Sequence, residues 1–182
     1  MLNTACTVPP LNVATPPKLV NLVRGDVIVG EGNTVVSTIL GSCIAVCLWD
    51  RRQRRGGMNH YIFPKYDGLG SPLNYGDTAI EQLVAEMAAP AEALIAAIFG
   101  GAARLGLGSA VYGKNAEVAR DTLKHLGIRL VADHTGGSDG YRVSFHLADG
   151  QIRSDRVVTR SIPSRLCIPL PPDVSLRRLP LP

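Results

Sequence analysis

The chain has 182 residues and a formal net charge of +4, with 46% hydrophobic, 19% charged and only 5% aromatic residues. This is an ordinary globular mix in a length suited to one domain, which excludes wholesale disorder, and so few aromatics argue against a base-stacking platform for RNA. Arg51, Arg52, Arg54 and Arg55 together account for the whole positive excess, so no broad nucleic-acid face is expected.

Residues 1–17 and 163–182 carry ten of the thirteen prolines and read as extended arms around one folded domain, expected over 18–162. Residues 27–29 predict a short strand, with Glu31, Gly32 and Asn33 as its turn. The β-branched run 34–39 and the apolar run 44–49 predict two more, joined by a tight passage through Leu40, Gly41, Ser42 and Cys43. Asp77 is expected to cap a helix that runs to Met87 and is stopped by Pro90, with Ile80, Leu83, Val84 and Met87 on one face. Segment 94–99 fits a helix by its alanines and a buried strand by its length and the Gly100-Gly101 that ends it. Asn115 is expected to cap a second helix, with Ala119, Leu123 and Leu126 inward and Gly127 as its end. A strand follows over 128–132. Tyr141, Val143, Phe145 and Leu147 then alternate with polar residues, Asp149-Gly150 suggests a type I′-like turn, and a return strand starts at Ile152. The expected fold class is α/β (α+β), a single layered domain with mixed β-sheets flanked by helices.

A membrane helix needs about 18 uninterrupted apolar residues; the richest stretch, 87–103, is broken by Pro90 and Glu92. No cation precedes Lys18, so no signal-peptide n-region is visible, and a soluble, cytoplasmic protein is expected. The four cysteines do not form a disulfide framework pattern.

Two motifs break on inspection. The run from Gly108 to Asn115 nearly matches a phosphate-binding P-loop, but Asn115 stands where a magnesium-binding hydroxyl is needed. Cys43, Cys47 and His60 have three quarters of a zinc-finger spacing, but no ligand follows His60, and His125, His134 or His146 would have to return in space. No metal and no organic cofactor are expected. The arginine cluster reads as a solvated connection between strands, with contact to an acidic protein as the alternative.

Cys43 and His60 remain. A thiol attacks a carbonyl as thiolate, and a neighbouring histidine supplies the base. Cys43 sits at the mouth of an apolar strand after a turn in which Gly41 and Ser42 leave room, and backbone N–H groups there can hold an oxyanion. Cys47, inside an apolar run, reads as a small buried hydrophobe. A hydroxyl that orients the His60 ring would complete a triad, with Ser37 and Thr38 as candidates.

The segment from Ser37 to Leu48, followed by Gly56-Gly57-Met58-Asn59-His60, closely resembles the CheD family of bacterial chemoreceptor glutamine deamidases. The resemblance continues through Tyr75-Gly76-Asp77, Phe99-Gly100-Gly101-Ala102, Gly113-Lys114-Asn115, Asp133 with Gly136-Gly137, and Arg142-Val143-Ser144-Phe145. It implies a CheD-like cysteine hydrolase fold that converts selected receptor glutamines to glutamate with release of ammonia. It implies a Cys–His–Thr triad, with the cysteine on Cys43 and the histidine on His60. The family's threonine position falls on Ser37, with Thr38 next to it. The expected substrate is the cytoplasmic helical region of a chemoreceptor. The rival reading is a regulatory module that docks a CheC-like phosphatase and catalyses little itself.

Overall fold

In the computed structural model, residues 15–103 and 109–157 are described, with the side chains of 109–112 excepted. Nine strands form two sheets among them. The first sheet contains β1 (Lys18–Asn21), β3 (Thr34–Leu40), β8 (Gly140–His146) and β9 (Gln151–Val157), in the order β1-β3-β8-β9. The second contains β2 (Val27–Glu31), β5 (Arg55–Asn59), β4 (Ile44–Asp50), β6 (Leu94–Gly100) and β7 (Arg129–Thr135), in the order β2-β5-β4-β6-β7. The β1–β3 and β6–β7 pairs are parallel and the rest antiparallel, so both sheets are mixed, as expected. Helices α1 (Gly76–Met87) and α2 (Ser109–His125) cover one face of the second sheet. The layers therefore run helices, second sheet, first sheet.

Strand β4 shows why this order follows from the chemistry. All seven of its residues are buried. Ile44, Val46 and Leu48 pack with Ile80, Leu83 and Met87 of α1 and with Leu123 of α2. Ala45, Cys47 and Trp49 point the other way, into an inter-sheet core with Val36, Val143 and Phe145. A strand covered on both faces reads as a continuous apolar run, whereas β8, covered on one, alternates. The run 94–99 resolves as strand β6 for the same reason, its alanines being small enough to lie between helix and sheet layers.

Several local expectations are corrected. Asp77 is not a cap: α1 starts at Gly76 after Tyr75, and the Asp77 carboxylate accepts the N–H groups of Thr78 and Tyr66 instead. Asn115 is not a cap either. It lies inside α2, buried, and the P-loop-like run from Ser109 onward is helix, while Gly108 lies outside the described residues. The connection after Leu147 is not type I′, because only Gly150 in it has positive φ and that turn type needs two such residues. Strands β1 and β5 were not anticipated. Both are short, and β5 contains Gly56 and Gly57, which sequence propensity reads as breakers. A Cβ on Gly57 would come within 2.7 Å of the Val29 side chain and 2.8 Å of Leu83, so packing selects glycine there. The arginine cluster forms the β4–β5 turn, held by Asp50 Oδ1 accepting the N–H groups of Arg52 and Gln53.

Residues 1–14 and 158–182, which include most of both proline-rich arms, lie outside the described residues.

Candidate active site

The chain passes from Glu31 to Thr34, and again from Leu40 to Ile44, out of one sheet and into the other. Cys43 lies in the second of these crossings, at a corner of the sandwich, half-buried. His60 follows β5 directly. Ile44 and Tyr61 exchange both N–H···O bonds at 3.0 Å, and Cys47 pairs with Met58 farther along the same strands. That antiparallel register sets Ala45 opposite His60. Cys43 stands in the bend one residue before β4, and the strand's alternation carried back to it gives it the same face as Ala45, and so as His60. The face is the one that Ala45, Cys47 and Met58 turn toward the inter-sheet core.

Thr38 reaches this face from the opposite sheet. It stands on β3 between the inward-facing Val36 and Leu40, is buried, and lies 2.8 Å through Oγ1 from His60 Nδ1. The same hydroxyl donates to the Leu22 carbonyl at 3.0 Å. A threonine hydroxyl has one proton, so toward the ring Thr38 accepts, and the neutral imidazole is protonated on Nδ1. Nε2 then carries the lone pair, and this atom is buried with no hydrogen-bond partner among the described residues. Ser37, one residue earlier, faces the other way and donates to Asn21 Oδ1 at 2.7 Å. The structure thus joins Thr38, and not Ser37, to His60.

The connection between β1 and β2 braces the pair. His60 donates its N–H to the Asp26 carbonyl (3.1 Å) and accepts from the Gly25 N–H at its own carbonyl (2.8 Å), while Leu22 takes the Thr38 hydroxyl. Arg24 projects from this connection. Burial lowers the His60 pKa to about 4, Arg24 adds to the effect, and Asp26 opposes it. Burial raises the Cys43 thiol, opposed by the Arg24 charge, the Ser42 side chain and the cysteine's own backbone N–H. At neutral pH the pair therefore rests as thiol and neutral imidazole. Cys47, fully inside the core, is pushed up further by burial alone.

Two further features shape the turn before Cys43. Gly41 is not in the left-handed region. The glycine that the turn requires is Gly100, at φ +108°, where a Cβ would lie 2.1 Å from the Cys43 carbonyl oxygen. Beside it, Gly101 donates its N–H to that carbonyl and Ala102 donates to Gly41, both at 2.9 Å. The second feature is Asn115. Its Nδ2 donates to the Ile62 carbonyl (2.9 Å) and, more weakly, to that of Ser42 (3.4 Å), so it ties the turn before Cys43 to the segment after His60. Tyr61 adds a hydrogen bond from its hydroxyl to the Asn115 carbonyl at 2.7 Å. Paired glycines and a buried asparagine are the signals that mark these positions, but neither says what it packs against.

A groove of about 500 Å³ opens on the first sheet beside the site. Its walls include Arg24, Thr38, Ile39, His60 and Arg142 but not Cys43. Among the described residues, no three side chains of metal-ligating type converge, and no helix is long and apolar enough to cross a membrane.

Residues 64–156 match the family model described as CheD chemotactic sensory transduction. A protein of Rhodospirillum rubrum called a probable chemoreceptor glutamine deamidase CheD is 39% identical over 155 residues, covering 82% of this chain and 85% of its own. Proteins with the same description from Pyrococcus horikoshii and Caulobacter vibrioides are each 38% identical, covering 73% and 80% of this chain and 89% and 81% of theirs. Similarity on that scale means that the chain belongs to the CheD family.

Proposed function

We propose that this protein is a cysteine-dependent protein-glutamine deamidase, acting in the cytoplasm on glutamine side chains of chemoreceptors and releasing ammonia. The observation that carries the reading is the Thr38–His60 pair, which leaves a buried, unpartnered Nε2 on the face shared with Cys43. The relatives' descriptions as chemoreceptor glutamine deamidases supply the substrate class.

His60 Nε2 takes the Cys43 proton as the sulfur adds to the carbon of the γ-carboxamide. The carbonyl π pair moves onto oxygen, where donors at the turn, including the Cys43 N–H, stabilise the charge. Collapse of this intermediate breaks the C–N bond, and the imidazolium returns its proton to the departing nitrogen, giving ammonia and a thioester. Water then adds, with His60 again as base, and expels the thiolate, which is reprotonated. The product is glutamate with the enzyme regenerated. Thr38 holds the ring in the Nδ1–H tautomer throughout.

The test is the mass of a purified receptor cytoplasmic fragment after incubation with the wild-type protein or with Cys43→Ala, followed by peptide mapping of each converted glutamine. A mass gain with wild type alone supports the reading. No gain against several receptors overturns it in favour of a docking module for a CheC-like phosphatase. A gain with both proteins removes Cys43 from the nucleophile role.

A further inference from the structure

Among the described residues, the helices cover only the second sheet, and nothing packs on the outer face of the first. Beside the groove this face is unusually apolar for a solvated surface: Leu19, Val23 and Ile39 are 71%, 65% and 59% exposed. Two cations stand with them. Arg24 and Arg142 both wall the groove, both are exposed, and neither has an ion pair among the described residues. Asp155, opposite Arg142 in the β8–β9 register, makes no ion pair with it, and the Asp26 carboxylate is held by the Val23 N–H at 2.8 Å. No carboxylate walls the groove.

The groove reaches His60 and Thr38 but not the sulfur, so the reacting amide does not sit in it. What fits there is the stretch of substrate next to the target glutamine. An apolar strip flanked by two unpaired guanidinium groups complements an amphipathic segment that carries carboxylates. The deamidation reaction moves its own substrate toward that charge, since each turnover exchanges a neutral amide for a carboxylate in the same segment.

We propose that this face is the substrate-docking surface, on which Val23 and Ile39 take apolar side chains of the receptor segment while Arg24 and Arg142 select carboxylates flanking the target glutamine. The proposal rests on the deamidase reading, and it has a consequence of its own: a segment in which one glutamine has become glutamate is a better substrate at its neighbour. Arg142 is a specificity residue here, acting on binding and not on the chemical step.

The experiment has two arms. In the first, Kd of a receptor cytoplasmic fragment is measured by titration against Cys43→Ala protein, alone and combined with Arg142→Glu or Ile39→Ser. Charge reversal is expected to weaken binding about fivefold, with a smaller salt dependence than the parent shows. In the second, kcat and KM of the otherwise wild-type Arg142→Glu enzyme are compared on the fragment and on one whose acidic residues near the target are changed to glutamine. KM is expected to rise with kcat unchanged, and the loss is expected to vanish on the neutralised fragment. Unaltered Kd in the first arm, or an effect confined to kcat in the second, overturns the docking surface. Binding that responds as expected, with no turnover by wild type, overturns the deamidase reading and leaves the surface standing.

Discussion

Replacing Thr38 by valine keeps the shape of the side chain and removes its hydroxyl, so it isolates the role of one hydrogen-bonding atom. Two groups lose their partner: the Leu22 carbonyl at 3.0 Å and the His60 Nδ1–H at 2.8 Å, both at a buried site. An orphaned buried polar group costs about 1–3 kcal/mol, so with two of them the variant should lose roughly 2–6 kcal/mol of folding stability. Catalysis should fall further than folding, because without an acceptor at Nδ1 nothing retains the proton there, and the ring can present N–H at Nε2 in place of the lone pair. General-base catalysis of this kind is worth about a hundredfold to ten-thousandfold, and most of it should disappear. Thr38→Ser, which keeps the hydroxyl, should remain within about tenfold of wild type by the same reasoning. Ser37→Ala removes only an exposed bond to Asn21 and should change stability by less than about 0.5 kcal/mol, with turnover intact. The assays are urea unfolding, to establish the fraction folded, and the initial rate of mass gain on a receptor fragment under conditions where each variant is folded. Full activity of Thr38→Val, or loss of activity on Ser37→Ala, would refute the reasoning.

Other outcomes follow from the same geometry. His60 has its pKa lowered to about 4 by burial, so between that value and the ordinary 6.5 the unfolded chain binds the extra proton and the folded one does not. Stability should therefore be fully present above about pH 6.5 and decline as the pH falls toward 4, and His60→Gln should flatten that slope in urea titrations run across the window. A His60→Gln protein with the wild-type slope would refute the assignment. Gly100→Ala drives a Cβ into the Cys43 carbonyl at a backbone conformation that alanine resists, so we expect a loss of roughly 2–5 kcal/mol in thermal or urea unfolding. Wild-type stability of this variant would mean that the turn relaxes freely. With iodoacetamide at pH 8, peptide mapping should show Cys43 labelled more slowly than a free thiol and Cys47 unlabelled until denaturant is added, since burial raises both thiols and seals the second. Faster labelling of Cys47 than of Cys43 would contradict the described burial.

Much of the site was legible because its parts are local. Cys43 is marked by small residues at the head of an apolar run, and His60 by its place after Gly56-Gly57-Met58-Asn59. The misreadings share one cause. Asp77 and Asn115 are residue types that cap helices when the chain before them is extended, and here both helices start before them. Tertiary packing gives Asn115 a bond to the Ile62 carbonyl instead, which no local rule signals. Gly56 and Gly57 look like a break and are a strand, because Phe145, Val29 and Leu83 fill the space that side chains would need.

Periodicity alone determined which segments are strands or helices in most of the body, that the layers are mixed, and that Cys43 opens an apolar strand. It did so because side-chain alternation and turn chemistry depend on neighbours along the chain. It could not say that the strands before and after Cys43 belong to different sheets. Two strands joined by a short turn invite pairing with each other, but β3 pairs with β1 and β8, and β4 with β5 and β6. Only that crossing faces Thr38 on one sheet toward His60 on the other and turns Ser37 outward. Which hydroxyl meets the imidazole was therefore decided by long-range sheet packing, since a shift of one residue along a strand exchanges its two faces.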